Sequence, residues 1–147
     1  MAIKVVSAVF DTNVLISGIM FGGRPREILE IIKNKEVLGV TSPVLLAELM
    51  DVLSKKFKYP KSRVLQVERK MKKILRVIYP IKTINAVRDA DDNRVLEAAV
   101  EGKCGYIVTG DGDLLSLKNY GGIKIITPVE FWQQHLKHLD EAVKSMF

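Results

Sequence analysis

Short, nearly continuous apolar runs alternate along the chain with longer segments in which apolar residues recur every third or fourth position. The runs at 4–10 (Val5, Val6, Ala8, Val9, Phe10), 37–41 (VLGVT), 105–109 (GYIVT) and 123–127 (IKIIT) lack the polar–apolar alternation of a half-buried strand. They read as strands covered on both faces, the pattern of a parallel sheet. Between them the spacing turns helical. A short helix is expected from Thr12 to Gly18. After the turn FGGRP, Pro25 suits a first helical turn, and Ile28, Leu29, Ile31 and Ile32 recur on one face. Ser42 and Pro43 make an N-cap and first-turn pair that opens a helix over 43–57, which Pro60 ends. A basic helix is expected over 61–77, an extended piece at YPIKTI (79–84), a helix from Asp91 and Asp92 through Ala99 to Gly102, and a C-terminal helix after Pro128. Strands alternating with helices predict one α/β domain over residues 1–147, its parallel sheet covered on both faces.

Composition narrows the picture. With 48% apolar and 27% charged residues the chain has the make-up of an ordinary globular domain. No stretch approaches the roughly 20 apolar residues that span a bilayer, and the N-terminus lacks a signal pattern, so a cytoplasmic location is expected. Cys104 is the only cysteine, which excludes an internal disulfide and argues against a cysteine-based zinc site; it is expected to pack in the core beside Tyr106. The net charge of +6 is unevenly spread. Between Lys55 and Arg76 ten basic residues face Glu68 alone, a local +9, which leaves −3 for the rest of the chain. A basic arm on a mildly acidic body suits a polyanion gripped by one part and processed by another, although a solvated lysine-rich helix face has the same signature.

The acids carry the chemical signal. Asp11 ends the first strand, and Asp111 and Asp113 follow the third, so two strands of one parallel sheet deliver carboxylates to the same rim, where open α/β sheets collect ligands. Asp89, Asp91 and Asp92 begin a helix. Glu48 lies within a helix among Val44, Leu45 and Val52, and a carboxylate on an apolar face calls for a cation or a polar cleft. Singly, each has a plainer reading: Asp11, Asp91 or Asp92 as helix caps, Asp111 or Asp113 in an Asx turn, Glu48 at the edge of its stripe. Together they repel one another unless a cation intervenes. With no histidine or cysteine set beside them, hard ions such as Mg²⁺ or Mn²⁺ are favoured, and such sites hydrolyse phosphodiesters. His135 and His138 lie one turn apart on the terminal helix with no acid to complete a ligand set. Neither a GxxxxGK[ST] loop, a dinucleotide fingerprint nor a GxSxG elbow occurs, which argues against nucleotide-triphosphate, nicotinamide and serine-hydrolase chemistry.

The blocks FDTNVLISG, SPVLLAELMDVL, DADDNRVLEAA and YIVTGDGDLLSL, followed by IIT and PVEF, resemble the PIN domain, in particular the VapC-like toxins of prokaryotic toxin–antitoxin pairs. The similarity covers nearly the whole chain. It implies a three-layer α/β/α sandwich with a mainly parallel five-stranded sheet and a metal-dependent ribonuclease acting on single-stranded RNA. It also implies a homodimer or higher homo-oligomer and a small antitoxin partner. Carried over by position, Asp11, Glu48, Asp92, Asp111 and Asp113 become the metal-binding and catalytic acids, with the choice between Asp111 and Asp113 open. Asn13 and Thr109 become the polar residues that orient them. On the basic arm, Lys55, Lys56, Lys70, Lys72 and Lys73 are the candidate contacts to RNA. A housekeeping RNA-processing nuclease of the same fold, or a non-catalytic RNA- or partner-binding module, are the alternative readings.

Overall fold

The computed structural model describes residues 5–134 and residue 146, which places His135 and His138 outside the described residues. Among the described residues six strands form one sheet in the order β3-β2-β1-β4-β6-β5. They are β1 (Val6–Phe10), β2 (Val37–Thr41), β3 (Arg76–Val77), β4 (Tyr106–Val108), β5 (Asn119–Tyr120) and β6 (Ile123–Ile126). Every pairing is parallel except β5 with β6. The helices are α1 (Thr12–Met20), α2 (Arg24–Lys33), α3 (Pro43–Lys55), α4 (Lys61–Ile74), α5 (Ala90–Glu101) and α6 (Gly112–Leu117), with a further helical stretch at 128–134.

The sheet separates two apolar cores. On one face Ala8, Phe10, Val37, Val108 and Ile126 meet α1, α2, the inner side of α3 and Met71 of α4. On the other, Val9, Val40, Ile107, Ile123 and Ile125 meet Val95, Leu96, Ala98 and Ala99 of α5 and Leu114 of α6. Burial of alternate residues on opposite faces explains why the strands lack polar alternation. The apolar run of β1 is covered only over its second half: Val5 is 53% exposed, whereas Ala8 and Val9 are fully buried.

Three local expectations change. The sheet gains a sixth strand because Gly121 and Gly122 both adopt positive φ and close a two-residue hairpin that folds β5 antiparallel onto β6. The basic helix stops at Ile74, and Leu75 turns extended so that Arg76 and Val77 pair with Val40 and Thr41. The paired segment therefore precedes YPIKTI; Tyr79 and Ile81 stand exposed, and Pro80 has no N–H to offer a ladder. Cys104 is buried in the α5-side core, where burial pushes its thiol up to about 11, while Tyr106 lies on the opposite face, edge-on to Phe131.

Among the described residues no helix is long and apolar enough to cross a membrane. Parallel register brings the carboxyl ends of β1, β2, β4 and β6 to one rim, and a polar residue follows or ends each of them: Asp11, Thr41, Thr109 and Thr127. A chain segment without regular structure, 84–89, crosses toward this rim and is held by α5. Asn93, 2% exposed, accepts the N–H groups of Ala86 and Val87 at 3.0 Å each and donates to the Val87 carbonyl at 2.8 Å. One turn on, Glu97 accepts the Ile84 N–H at 2.8 Å and pairs with Arg94 at 2.8 Å. Asn93→Ala strands these backbone groups, and chemical denaturation should register a loss of about 1–3 kcal/mol with fold retained; an unchanged midpoint would show that the loop is held by other contacts.

Candidate functional site

The site grows from three helix N-termini. Asp11, directly after β1, caps α1 by accepting the Thr12 N–H at 2.7 Å, and its own N–H donates to the Val108 carbonyl at 2.9 Å. Its second oxygen accepts the Thr109 hydroxyl at 2.7 Å, and that hydroxyl oxygen in turn accepts the Asp111 N–H at 3.0 Å. Asp111 caps α6 through the Leu114 N–H at 3.0 Å. Asp89 caps α5 by accepting the Asp91 N–H at 2.8 Å. Capping and site roles therefore coexist in Asp11 and Asp111, and the cap supplied by Asp89 leaves Asp92 free.

Asp92 is 8% exposed, and its Oδ2 is buried without a hydrogen-bond partner among the described residues. Carboxylate oxygens of Asp92, Asp111 and Asp113 lie within 4.8 Å of one another. Burial, and next the Asp111 carboxyl with which it shares a hydrogen bond once protonated, raise the Asp92 carboxyl to about 7; the charges of Asp89 and Asp11 push the same way. Asp11 is also raised, by burial first, against the opposing hydrogen bonds from Thr109 and Thr12. Glu48 is half-buried and raised by burial and then by Asp91 and Asp11, with the Thr12 hydroxyl opposing. The positive ends of the α1, α5 and α6 dipoles at this rim favour negative charge and offset part of the repulsion.

The expected residues thus divide. Asp92, Asp111 and Asp113 form the tight group, and Thr109 links Asp111 to Asp11. Glu48 stands outside that group but feels Asp91 and Asp11. It sits on the shoulder of α3 rather than amid an apolar face, since Val44, one turn before it, is 54% exposed. Asn13 is exposed and faces a neighbouring cavity. Lys55 ends α3, about 20 Å along that helix from the rim. Lys55 pairs with Asp51, Lys72 with Glu68, and Lys56 lies over the Phe57 ring. Lys70 and Lys73 border a groove between α4 and α2. Sequence reasoning passed over Thr12, Asn93 and the Arg94–Glu97 pair, whose only signal was polarity on the inner side of an otherwise apolar helix.

A family model described as PIN domain matches residues 7–113. The chain belongs to the PIN domain family. Uncharacterized protein MJ1680 of Methanocaldococcus jannaschii is 31% identical over 147 residues, covering 91% of this chain and 94% of that protein. A chain of the crystal structure of VapBC2 from Rickettsia felis, bound to a DNA fragment from their promoter, matches with a TM-score of 0.56 at 17% identity. That match covers 83% of this chain and 98% of the other, and the two share the fold.

PIN domains are generally nucleases, and the acidic group of this PIN domain fits a divalent cation. The fit rests on the orphaned Asp92 Oδ2: a buried carboxylate oxygen without a donor is costly unless a cation meets it. Hard oxygen donors suit ions such as Mg²⁺ or Mn²⁺. Without a cation the group weakens the fold, and the sign follows from linkage. The Asp92 carboxyl holds its proton more tightly folded than unfolded, so its penalty accumulates as pH rises from about 4 to about 7 and then levels off. In chelator at pH 8, Asp92→Asn should melt above the parent protein, with the difference shrinking toward pH 4. Equal melting temperatures across that range would mean that Asp92 is not strained.

Proposed function

We propose that this PIN domain is a metal-dependent endoribonuclease that hydrolyses phosphodiesters of single-stranded RNA. The observation that carries the reading is a buried Asp92 carboxylate whose Oδ2 finds no hydrogen-bond partner among the described residues and which has an oxygen within 4.8 Å of carboxylate oxygens of Asp111 and Asp113. Asp92, Asp111 and Asp113, with Asp11 and Glu48 beside them, would hold Mg²⁺ or Mn²⁺. Such an ion, when bound, lowers the pKa of a water and neutralises charge developing at phosphorus.

The chain's own groups set the stage for that chemistry. The Thr109 hydroxyl donates to Asp11, favouring its ionised form and fixing its orientation, while its acceptance of the Asp111 N–H sets the start of α6. Asp89 takes the capping work at α5, so both Asp92 oxygens stay available. The basic helix α4, with Lys70, Lys72 and Lys73 and the preceding Lys55 and Lys56, supplies a sequence-independent grip on the phosphate backbone. In the cell we assign the protein the role of a toxin inhibited by a small antitoxin and acting as a homodimer; the shared fold with a VapBC2 chain supports that reading.

The test is cleavage of a mixed single-stranded RNA pool by purified protein with Mn²⁺, with Mg²⁺ and with EDTA, beside Asp11→Asn and Asp92→Asn. The expected result is cleavage that requires metal and falls to background in both variants. Equal activity in parent and variants would trace the cleavage to a contaminant. RNA binding without cleavage under any metal would replace the enzyme with a binding module.

A further inference from the structure

A cavity of about 350 Å³ opens beside the acids and takes no part in holding them. Its wall includes Asn13, two residues after Asp11, and Gly110, between Thr109 and Asp111, together with Ser17, Arg24, Val129 and Trp132. The cavity adjoins the site: its wall takes residues from the first turn of α1 and from the loop after β4.

The placement of Trp132 is fixed from both sides. Thr127, following β6, accepts the Glu130 N–H at 3.1 Å while the Glu130 carboxylate reaches back to the Thr127 N–H at 3.3 Å and its hydroxyl at 3.0 Å. This reciprocal capping sets the direction of the helical stretch 128–134. Phe131 is 4% exposed and packs edge-on against Phe10, with centroids 5.4 Å apart, and against Tyr106 at 6.2 Å. With Phe131 anchored in the core, the half-buried indole of Trp132 lines the cavity. Gly110 leaves the mouth open, since a Cβ there would meet nothing within 4 Å. Arg24, the exposed first residue of α2, joins no ion pair among the described residues.

An aromatic platform, apolar walls and an unpaired guanidinium at the edge match a nucleobase with its adjoining phosphate. Bases stack on aromatic side chains regardless of sequence, and an uncharged base tolerates the neighbouring carboxylates where a phosphate alone would not. We propose that this cavity receives one base of the RNA strand next to the cleaved phosphodiester, with Trp132 as the stacking platform and Arg24 on the adjoining phosphate. This rests on the nuclease reading for the substrate it names. The pocket fixes which phosphodiester is presented to the acids.

The chain's only tryptophan reports its own occupancy. Short single-stranded oligoribonucleotides are titrated into Asp92→Asn protein with Mg²⁺ while tryptophan emission is followed, beside oligomers of equal length carrying abasic positions. Saturable quenching by the intact oligomer and its loss with one abasic position is expected, and Arg24→Glu should weaken the apparent Kd. In cleavage by otherwise unaltered protein, Trp132→Ala should raise KM about 5- to 100-fold, with Trp132→Phe recovering most of it as a check on folding. Equal quenching by abasic oligomers, or an unchanged KM and cleavage pattern in folded Trp132→Ala, overturns the pocket. Metal-dependent cleavage by the parent without quenching overturns the pocket alone. Quenching without any cleavage overturns the nuclease reading and, with it, the role given to the pocket in presenting a phosphodiester.

Discussion

The Thr109 hydroxyl is the joint on which the site depends. Fully buried at the end of β4, it donates to Asp11 at the end of β1 and accepts the N–H that begins α6 at Asp111. Two acidic residues 100 apart in sequence, Asp11 through its carboxylate and Asp111 through its backbone N–H, are thereby held on one oxygen. That arrangement is available only because β1 and β4 are adjacent and parallel, with Phe10 opposite Val108. The sheet brings the strand ends together, and the hydroxyl converts that proximity into orientation.

The arrangement has a thermodynamic cost. Asp11, Glu48 and Asp92 all have their carboxyl groups pushed up by burial, and Asp92 lacks any donor for one oxygen. Three helix N-termini at the rim offset part of the repulsion, and the clamp of Asn93 and Glu97 on the 84–87 segment holds α5 where Asp92 must be. A fold optimised for stability alone would place an amide or an alanine at position 92. The acid at this strained position fits a group that takes a divalent cation.

Much of this was legible in the chain itself. The apolar runs located the four long strands, and the acid after the first of them located the rim. The PIN-like blocks led to the family, and the α/β sandwich followed. What escaped notice depends on tertiary contacts. Asn93 and Glu97 look like surface residues until the 84–89 segment is laid across them. Glu48 was read from neighbours of which Val44 proves solvent-exposed; only the packing of α3 shows that it stands on the helix shoulder, under the influence of Asp91 and Asp11. The short strands β3 and β5 have two residues each and no apolar signature; one exists because β2 has a free edge, the other because two glycines close a hairpin.

The proposed chemistry rests on the acids forming a cation site with Asp92 at its heart. Manganese binding followed by electron paramagnetic resonance tests it without reference to any substrate. The parent protein should bind Mn²⁺ saturably, and Asp92→Asn should bind it at least about tenfold more weakly. A parent protein that binds no Mn²⁺, or a variant that binds it equally tightly, would contradict the account.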